Sequence, residues 1–336
     1  MRIALIGAGA MGTVHAEAHT RNPRAELVGI VDSREDAAAA LAERLGTRAY
    51  ATLEALMEAE QPDVIDVCLP TYLHRDYVLR AAAYGKHVIC EKPIAGTLDD
   101  ARAMIEACRE AGVHLYIGHV VRFFPEYAQV RDLINRGEIG EVGTVRAERV
   151  GSCPSGFDGW YRDFAKSGGV LLDLILHDFD WLRWTFGEVD RVYARSLFAA
   201  GNDDLPDHAF ATLRFRSGVI GYANGSWSFP EGFATRLEVA GNGGILSVNS
   251  EDSVTNRSLL AAKDTSRPSV QVPQSALARS PYDVELEHFL RCIEEGVDPV
   301  VTAEDAYEAL RISLACIHSA VTGAAVEMES FGKENA

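Results

Sequence analysis

The chain has 336 residues, 47% of them hydrophobic and 24% charged, the range of an ordinary soluble globular protein and long enough for two cores. Its formal net charge is −17, from 49 acidic and 32 basic side chains, so its surface repels nucleic-acid phosphates and anionic membranes alike. The six cysteines (Cys68, Cys90, Cys108, Cys153, Cys292, Cys316) lack CxxC spacing, which indicates neither a zinc knuckle nor a disulfide framework, and most fall in apolar runs as small core residues.

The opening run MRIALIGAGAMG is too short and glycine-broken for a signal sequence. No stretch approaches the ~20 apolar residues of a membrane span, and a cytoplasmic protein is expected. Strand and helix signals then alternate. Strands are expected at Arg2–Ile6, Glu26–Asp32, Arg48–Tyr50, Asp63–Leu69, Lys86–Cys90 and Leu115–Gly118. Helices are expected at Ala10–Thr20, Arg34–Leu45, Leu53–Ala59, Leu73–Tyr84 and Leu98–Ala111. Such alternation builds βαβ units, hence a doubly wound parallel sheet of the Rossmann type over residues 1–120.

Beyond residue 120 the pattern changes. A helix at Pro125–Arg136 precedes a strand at Gly143–Val150 and a longer helix at Gly169–Phe186. Strands follow at Val189–Ala199, Asp207–Arg216, Val219–Ser228, Thr235–Ala240 and Gly244–Val248. This reads as an α+β domain, residues 121–336, around a large, mostly antiparallel open sheet. Helices at Pro281–Glu295 and Ala303–Thr322 close the chain, and the tail Lys333–Ala336 is expected to fray.

The first strand runs into Gly7-Ala8-Gly9-Ala10-Met11-Gly12, and an acidic residue, Asp32, stands at the end of the second strand. GxGxxG alone is weak. In this context each glycine has a physical reason. Gly7 permits a tight turn, Gly9 the close approach of a pyrophosphate, and Gly12 helix–strand packing. The pyrophosphate would sit at the helix N-terminus, on Gly9, Ala10 and Met11. Asp32 can accept from adenine-ribose hydroxyls and repel a 2′-phosphate, which favours NAD. Ser33 and Arg34 beside it leave NADP open.

CEKPIAG, residues 90–96, places Lys92 at the carboxyl end of the fifth strand, the edge where open α/β sheets bind ligands. There it can face a nicotinamide and hydrogen-bond the oxygen of a reacting carbon. Pro93 restricts the backbone and is a candidate for a cis peptide bond. A surface lysine paired with Glu91 has the same local sequence. In SGGVLLDLILHDFDWLRWTF, residues 167–186, a continuous helix puts Asp173, His177 and Asp180 at i, i+4 and i+7 on one stripe. Histidine suits proton transfer near neutrality, and a nearby carboxylate tunes it. A buried histidine satisfied by an intrahelical carboxylate has the same signature. Trp181 and Trp184 read as core, and no metal-ligand cluster stands out.

GAGAMGTVH at 7–15, EKP at 91–93, RFFPEY at 122–127, GEIG at 137–140 and GGVLLDLILHDFDWLRW at 168–184 together resemble the Gfo/Idh/MocA oxidoreductases, in local motifs most closely the inositol dehydrogenase branch. The resemblance implies that Lys92, Asp173 and His177 are catalytic. It implies that Pro70, Thr71 and His74 of PTYLH lie near the cofactor with Glu91 and Lys92. Arg122, Asp180 and Tyr282 match substrate-binding positions, and Tyr161 can line the pocket. The expected reaction moves a hydride between a secondary alcohol of a cyclitol, polyol or sugar and NAD. The second domain is expected to bind substrate and mediate a homodimer or homotetramer, with a neighbouring subunit sheltering Val219, Tyr222 and Trp227. One departure is Leu176, where many members carry glycine near that point. The alternatives are an NAD-dependent glycoside hydrolase of the same fold and a non-catalytic NAD-binding protein.

Overall fold

The computed structural model describes residues 1–197, 207–251 and 279–332. Its contacts divide the described chain into two compact units. One is residues 1–123 with 279–307, and the other is residues 124–251 (as described) with 308–332. The segment 279–307 is thus packed with the N-terminal unit, an excursion that a single division at residue 120 does not contain.

In the first unit β1 (Arg2–Ile6), β2 (Glu26–Val31), β3 (Ala49–Tyr50), β4 (Val64–Val67), β5 (His87–Glu91) and β6 (Leu115–Gly118) form a sheet of order β3-β2-β1-β4-β5-β6. Every pairing is parallel. Helices α1 (Ala10–Arg21), α2 (Glu35–Leu45), α3 (Leu53–Glu60), α4 (Thr71–Ala83) and α5 (Leu98–Glu110) make the crossovers. Local chemistry sets their ends. The Thr52 and Thr97 side chains cap α3 and α5, and Gly46 in the left-handed region (φ 69°) closes α2. The strands are buried on both faces, which is why they read as near-continuous apolar runs.

The second unit opens with α6 (Pro125–Asn135) and β7 (Val142–Ser152). After α7 (Phe164–Ser167), the expected long helix is broken. Val170–Leu174 forms one wide π turn, with the Ile175 N–H on the Val170 carbonyl at 3.0 Å, and α8 (Leu176–Phe186) starts afresh. Gly168 and Gly169 both have φ 66°, a conformation that only glycine adopts without strain, so the SGG segment is a break rather than a helix start.

Strands β8 (Val189–Ser196), β9 (His208–Phe215), β10 (Ile220–Ser226), β11 (Ser228–Gly241) and β12 (Gly244–Asn249) join β7 in a seven-stranded sheet. The chain continues through α9 (Pro281–Glu295) and α10 (Ala303–Thr322) to β13 (Val326–Glu327). The order is β12-β11-β7-β10-β9-β8-β13, antiparallel except for β7 with β10. The end of the expected strand at Ala199 and the tail Lys333–Ala336 lie outside the described residues.

One face of this sheet meets the π turn closely. A Cβ at Gly225 would lie 2.4 Å from Ile175 Cγ2 and 2.5 Å from Val170 Cγ1. The other face carries Tyr193, Ile220 and Tyr222 exposed. Of the three residues expected on a sheltered outer face, only Tyr222 lies there. Val219 and Trp227 flank β10 and are buried within the chain.

Helix α9 belongs to the first unit. Ser280 and Asp283 form a capping box at its start, with Pro281 in the first turn. Its Leu286, Phe289, Leu290 and Cys292 complete a core with Ile3, Ala18, Val64, Ile89 and Tyr116. Among the described residues no helix is long and apolar enough to cross a membrane.

Candidate active site

The carboxyl edge of the parallel sheet is built around the ends of β1, β4 and β5. β1 is flanked by β2 and β4, so the strand order reverses beside it. Gly7 turns the chain at φ 106°, and a Cβ there would fall 2.3 Å from the Cys68 carbonyl oxygen. A Cβ at Gly12 would fall 1.9 Å from the Gly7 oxygen, so neither position admits a side chain. Gly9 is different. It caps α1, and a Cβ on it would meet nothing within 4 Å. Space therefore remains in front of the first N–H groups of α1, at Ala10 and Met11, which have no intrahelical acceptor. A pyrophosphate fits that place.

Asp32 lies just past β2. Its carboxylate accepts from the Ala8 N–H at 2.7 Å and the Arg34 N–H at 2.8 Å, and from Arg34 Nε and Nη2 at 3.2 and 3.1 Å. Burial alone would raise this carboxyl, but the bonds from Arg34 and Ala8 outweigh it and hold it below its usual range. Arg34 is therefore engaged with Asp32, and Ser33 is exposed.

At the next loop Pro70 caps α4 and Thr71 begins it. His74 is fully buried, with Nδ1 2.8 Å from the Pro93 carbonyl and Nε2 2.8 Å from the Leu69 carbonyl. Its ring ties the end of β4 to the end of β5. Burial lowers its pKa against the pull of the two carbonyls.

Lys92 is half-buried directly after β5, and the Lys92–Pro93 peptide is cis. The Lys92 N–H donates to Glu91 Oε2 at 2.9 Å. The other Glu91 oxygen turns inward to His15 Nε2 at 3.1 Å, and His15 Nδ1 meets Asp66. His15 and Asp66 were missed as site residues. His15 closes the GAGAMGTVH run, but its partners are 51 and 76 positions away, beyond any local pattern.

Arg122, which the resemblance places among the substrate-binding positions, is buried. Its side chain has no exposed surface, and Nη1 donates to the Val300 carbonyl at 2.7 Å and to Asp305 Oδ2 at 3.1 Å, which fixes the start of α10. Tyr282 is buried in the first turn of α9, its ring 6.4 Å from that of His15.

In the second unit Asp173 sits in the π turn and His177 in the first turn of α8, so the regular i, i+4 stripe is interrupted between them. Asp173 and Asp180 are buried, and His177 is half-buried. Two residues not foreseen hold this region. Arg149 on β7 donates through Nε and Nη2 to both oxygens of Asp178, at 2.9 and 3.0 Å, a buried two-pronged pair. Asp207 accepts from the Val170 N–H at 2.7 Å and from the Ser196 hydroxyl at 2.9 Å, anchoring the π turn. Tyr161 stacks on Trp160 at 4.0 Å and meets Trp227 edge-on at 6.1 Å. Trp181 is core, as expected, between Tyr127 and Phe186, whereas Trp184 is half-buried under Arg131.

Residues 1–119 match the oxidoreductase family GFO/IDH/MocA with its NAD-binding Rossmann fold, and residues 127–247 match the GFO/IDH/MocA C-terminal domain. The chain is 32% identical to the myo-inositol 2-dehydrogenase of Thermotoga maritima over 98% of this chain and 99% of that protein. It is 31% identical to the scyllo-inositol 2-dehydrogenase (NAD(+)) of Bacillus subtilis strain 168, over 98% and 96%. The solved structure of GenD2 from gentamicin A biosynthesis, in complex with NAD, aligns at TM-score 0.86 and 27% identity over 97% of this chain and 96% of that one. The glycine turn, the acid after β2, the lysine after β5 and these full-length likenesses agree: the chain belongs to the GFO/IDH/MocA family of NAD-binding oxidoreductases.

Proposed function

We propose that the protein is an NAD-dependent dehydrogenase of a secondary alcohol on a cyclitol or closely related sugar. The observation that carries this reading is the held lysine. Lys92 stands at the ligand-binding edge of the sheet, its own N–H on Glu91 and the next carbonyl on His74. The similarity to two inositol dehydrogenases narrows the substrate class. NAD, when bound, supplies the hydride acceptor. The residues of the chain do the rest. Gly9, Ala10, Met11 and Gly12 receive the pyrophosphate, with Pro70 and Thr71 beside it, and Asp32 receives the ribose hydroxyls. His177 removes the hydroxyl proton, tuned by the charge of Asp173. Lys92 donates to the oxygen as negative charge develops there. Tyr161, Asp180 and Tyr282 are assigned to further substrate hydroxyls.

Asp32 with Arg34 drawn onto it supports NAD over NADP, because a 2′-phosphate would meet the carboxylate first. We assign the second unit, residues 124–251 (as described) with 308–332, to substrate binding and assembly. A homodimer or homotetramer would cover Tyr193, Ile220 and Tyr222, and light scattering that finds a monomer at micromolar concentration removes that part. A cytoplasmic site of action fits the acidic surface and the cofactor.

The decisive experiment is a panel of inositols, aldoses, sugar acids and amino sugars with NAD and NADP, followed by the absorbance of the reduced cofactor. Reduction of NAD by an inositol, with a higher kcat/KM than for NADP, is the expected result. Bound NAD without turnover on any member, or release of a free sugar without net NADH, overturns the reading.

A further inference from the structure

His15 is fully buried in α1. Its Nδ1 lies 3.1 and 2.9 Å from the two oxygens of Asp66, and its Nε2 lies 3.1 Å from Glu91 Oε1. An ionised carboxylate has no proton to give. A ring that faces a carboxylate at each nitrogen satisfies both only by carrying a proton on each. A neutral ring would set a lone pair against one of the two acids, in a place where water does not relieve the mismatch. The groups facing this ring are few. From α1 comes His19, whose Nε2 meets Asp66 Oδ2 at 2.7 Å. From the end of β4 come Asp66 and the Cys68 thiol, 3.6 Å from Asp66 Oδ1. From β5 comes Glu91, and from α9 the ring of Tyr282.

We propose that His15 is a buried imidazolium that positions Lys92: it holds Glu91 turned inward, so that the second Glu91 oxygen fixes the Lys92 backbone. The role assigned to Lys92 rests on the function proposed above, whereas the bridge itself does not. The electrostatics agree with the geometry. Burial alone would lower the His15 pKa, yet the Asp66 charge outweighs it and holds the ring above its ordinary value, while burial pushes the Cys68 thiol up and keeps it protonated. The bridge has a formal charge of −1 (Asp66 −1, His15 +1, Glu91 −1) beside the lysine.

That charge makes the test quantitative. His15→Gln leaves two ionised acids without a cation, a charge of −2. Glu91→Gln keeps a carbonyl oxygen for the Lys92 N–H and removes one acid while Asp66 still faces His15, so the charge does not become more negative than −1. The chain has only five lysines, so trace acylation with acetic anhydride across pH, read by mass spectrometry, gives the titration of Lys92 without any substrate. In His15→Gln the Lys92 midpoint is expected to rise by roughly one unit. In Glu91→Gln, which removes an acid, it is expected not to rise, and in the double variant it is expected to stay within a few tenths of the wild type. An unmoved Lys92 in His15→Gln, or an equal shift in Glu91→Gln, overturns the bridge. Should His15→Gln fail to fold, the imidazole carbon resonance of His15 decides: it reports a protonated ring at pH 7 in the wild type, and a neutral ring there overturns the proposal.

Turnover is a separate arm. With the best substrate of the panel, His15→Gln is expected to lower kcat roughly 10²-fold through a displaced Lys92, with NAD affinity unchanged. A normal kcat in Lys92→Ala sinks the catalytic reading and leaves the bridge to the acylation data. A lost kcat in Lys92→Ala with a normal one in His15→Gln sinks the positioning role alone.

Discussion

At the edge of the parallel sheet, four ionisable side chains from three elements (His15 and His19, Asp66, Glu91) hold one another in a buried row that ends at the Lys92 backbone. Under the π turn, ionic support is local. Arg149 meets Asp178, Asp207 meets one backbone N–H, and Gly225 supplies room. The first region depends on which groups carry protons. The second depends on shape and on one matched pair. Proton-linked support is shared among several residues and responds to pH. Shape-based support is concentrated, so a single added atom is enough to disturb it.

The largest effect tests whether both regions serve one reaction. Lys92→Ala and His177→Ala should each lower kcat about 10²–10⁴-fold while NAD still binds. A near-normal kcat in either variant, on any substrate the wild type uses, removes that region from the chemistry. Next in size is the matched pair. Arg149→Met leaves Asp178 buried and uncompensated and should cost about 3–5 kcal/mol in chemical denaturation. Arg149→Met with Asp178→Leu should recover most of that loss. A double variant no more stable than the single one means the pair is not the support described.

Glycines sharpen the contrast further. Gly225→Ala drives a methyl into Ile175 and Val170 and should cost about 1–3 kcal/mol. Gly9→Ala has open space around its Cβ and should leave the melting temperature alone while raising the KM for NAD. Equal melting temperatures in the two variants would contradict the packing. The smallest effect is the pH slope. Asp66 is held below its ordinary value of 3.8, so its contribution is complete above that pH and fades as pH falls through the folded value. His15 is raised above 6.5, so its contribution is complete below that pH and is lost as pH rises through the folded value. Stability should therefore decline on the alkaline side, and Glu91→Gln should flatten the decline. Urea titrations at mildly acidic, neutral and alkaline pH, with parallel slopes in the two proteins, would rule this out.

The glycine turn was legible because its demands are steric and local: a Cβ at Gly7 or Gly12 collides within a few residues or with the adjacent strand. Asp32 and Lys92 were legible because alternation located the strand ends. The two helices near the C-terminus carried their own caps and apolar stripes, and their limits match the reading. The π turn was not legible, since apolar residues at 170–176 fit a 3.6-residue period as well as a wider turn. The burial of Arg122 was not legible because it depends on a partner, here Asp305, 183 positions along the chain. Val219 and Trp227 were placed on the wrong side because they share the odd register of Gly221, Ala223 and Gly225, the buried face of β10, whereas Tyr222 has the opposite register.

The excursion of the chain before α9 sets a timetable for synthesis. Ile3, Val64, Ile89 and Tyr116 emerge early, but the residues that cover them, Leu286, Phe289 and Leu290, emerge about 170 positions later. At translation speeds of ~5–20 residues per second, the nascent sheet would wait on the order of ten to thirty seconds with that patch bare. Arrested chains ending near residue 125 should accordingly bind holdase chaperones, and a separately supplied peptide spanning α9 should release them.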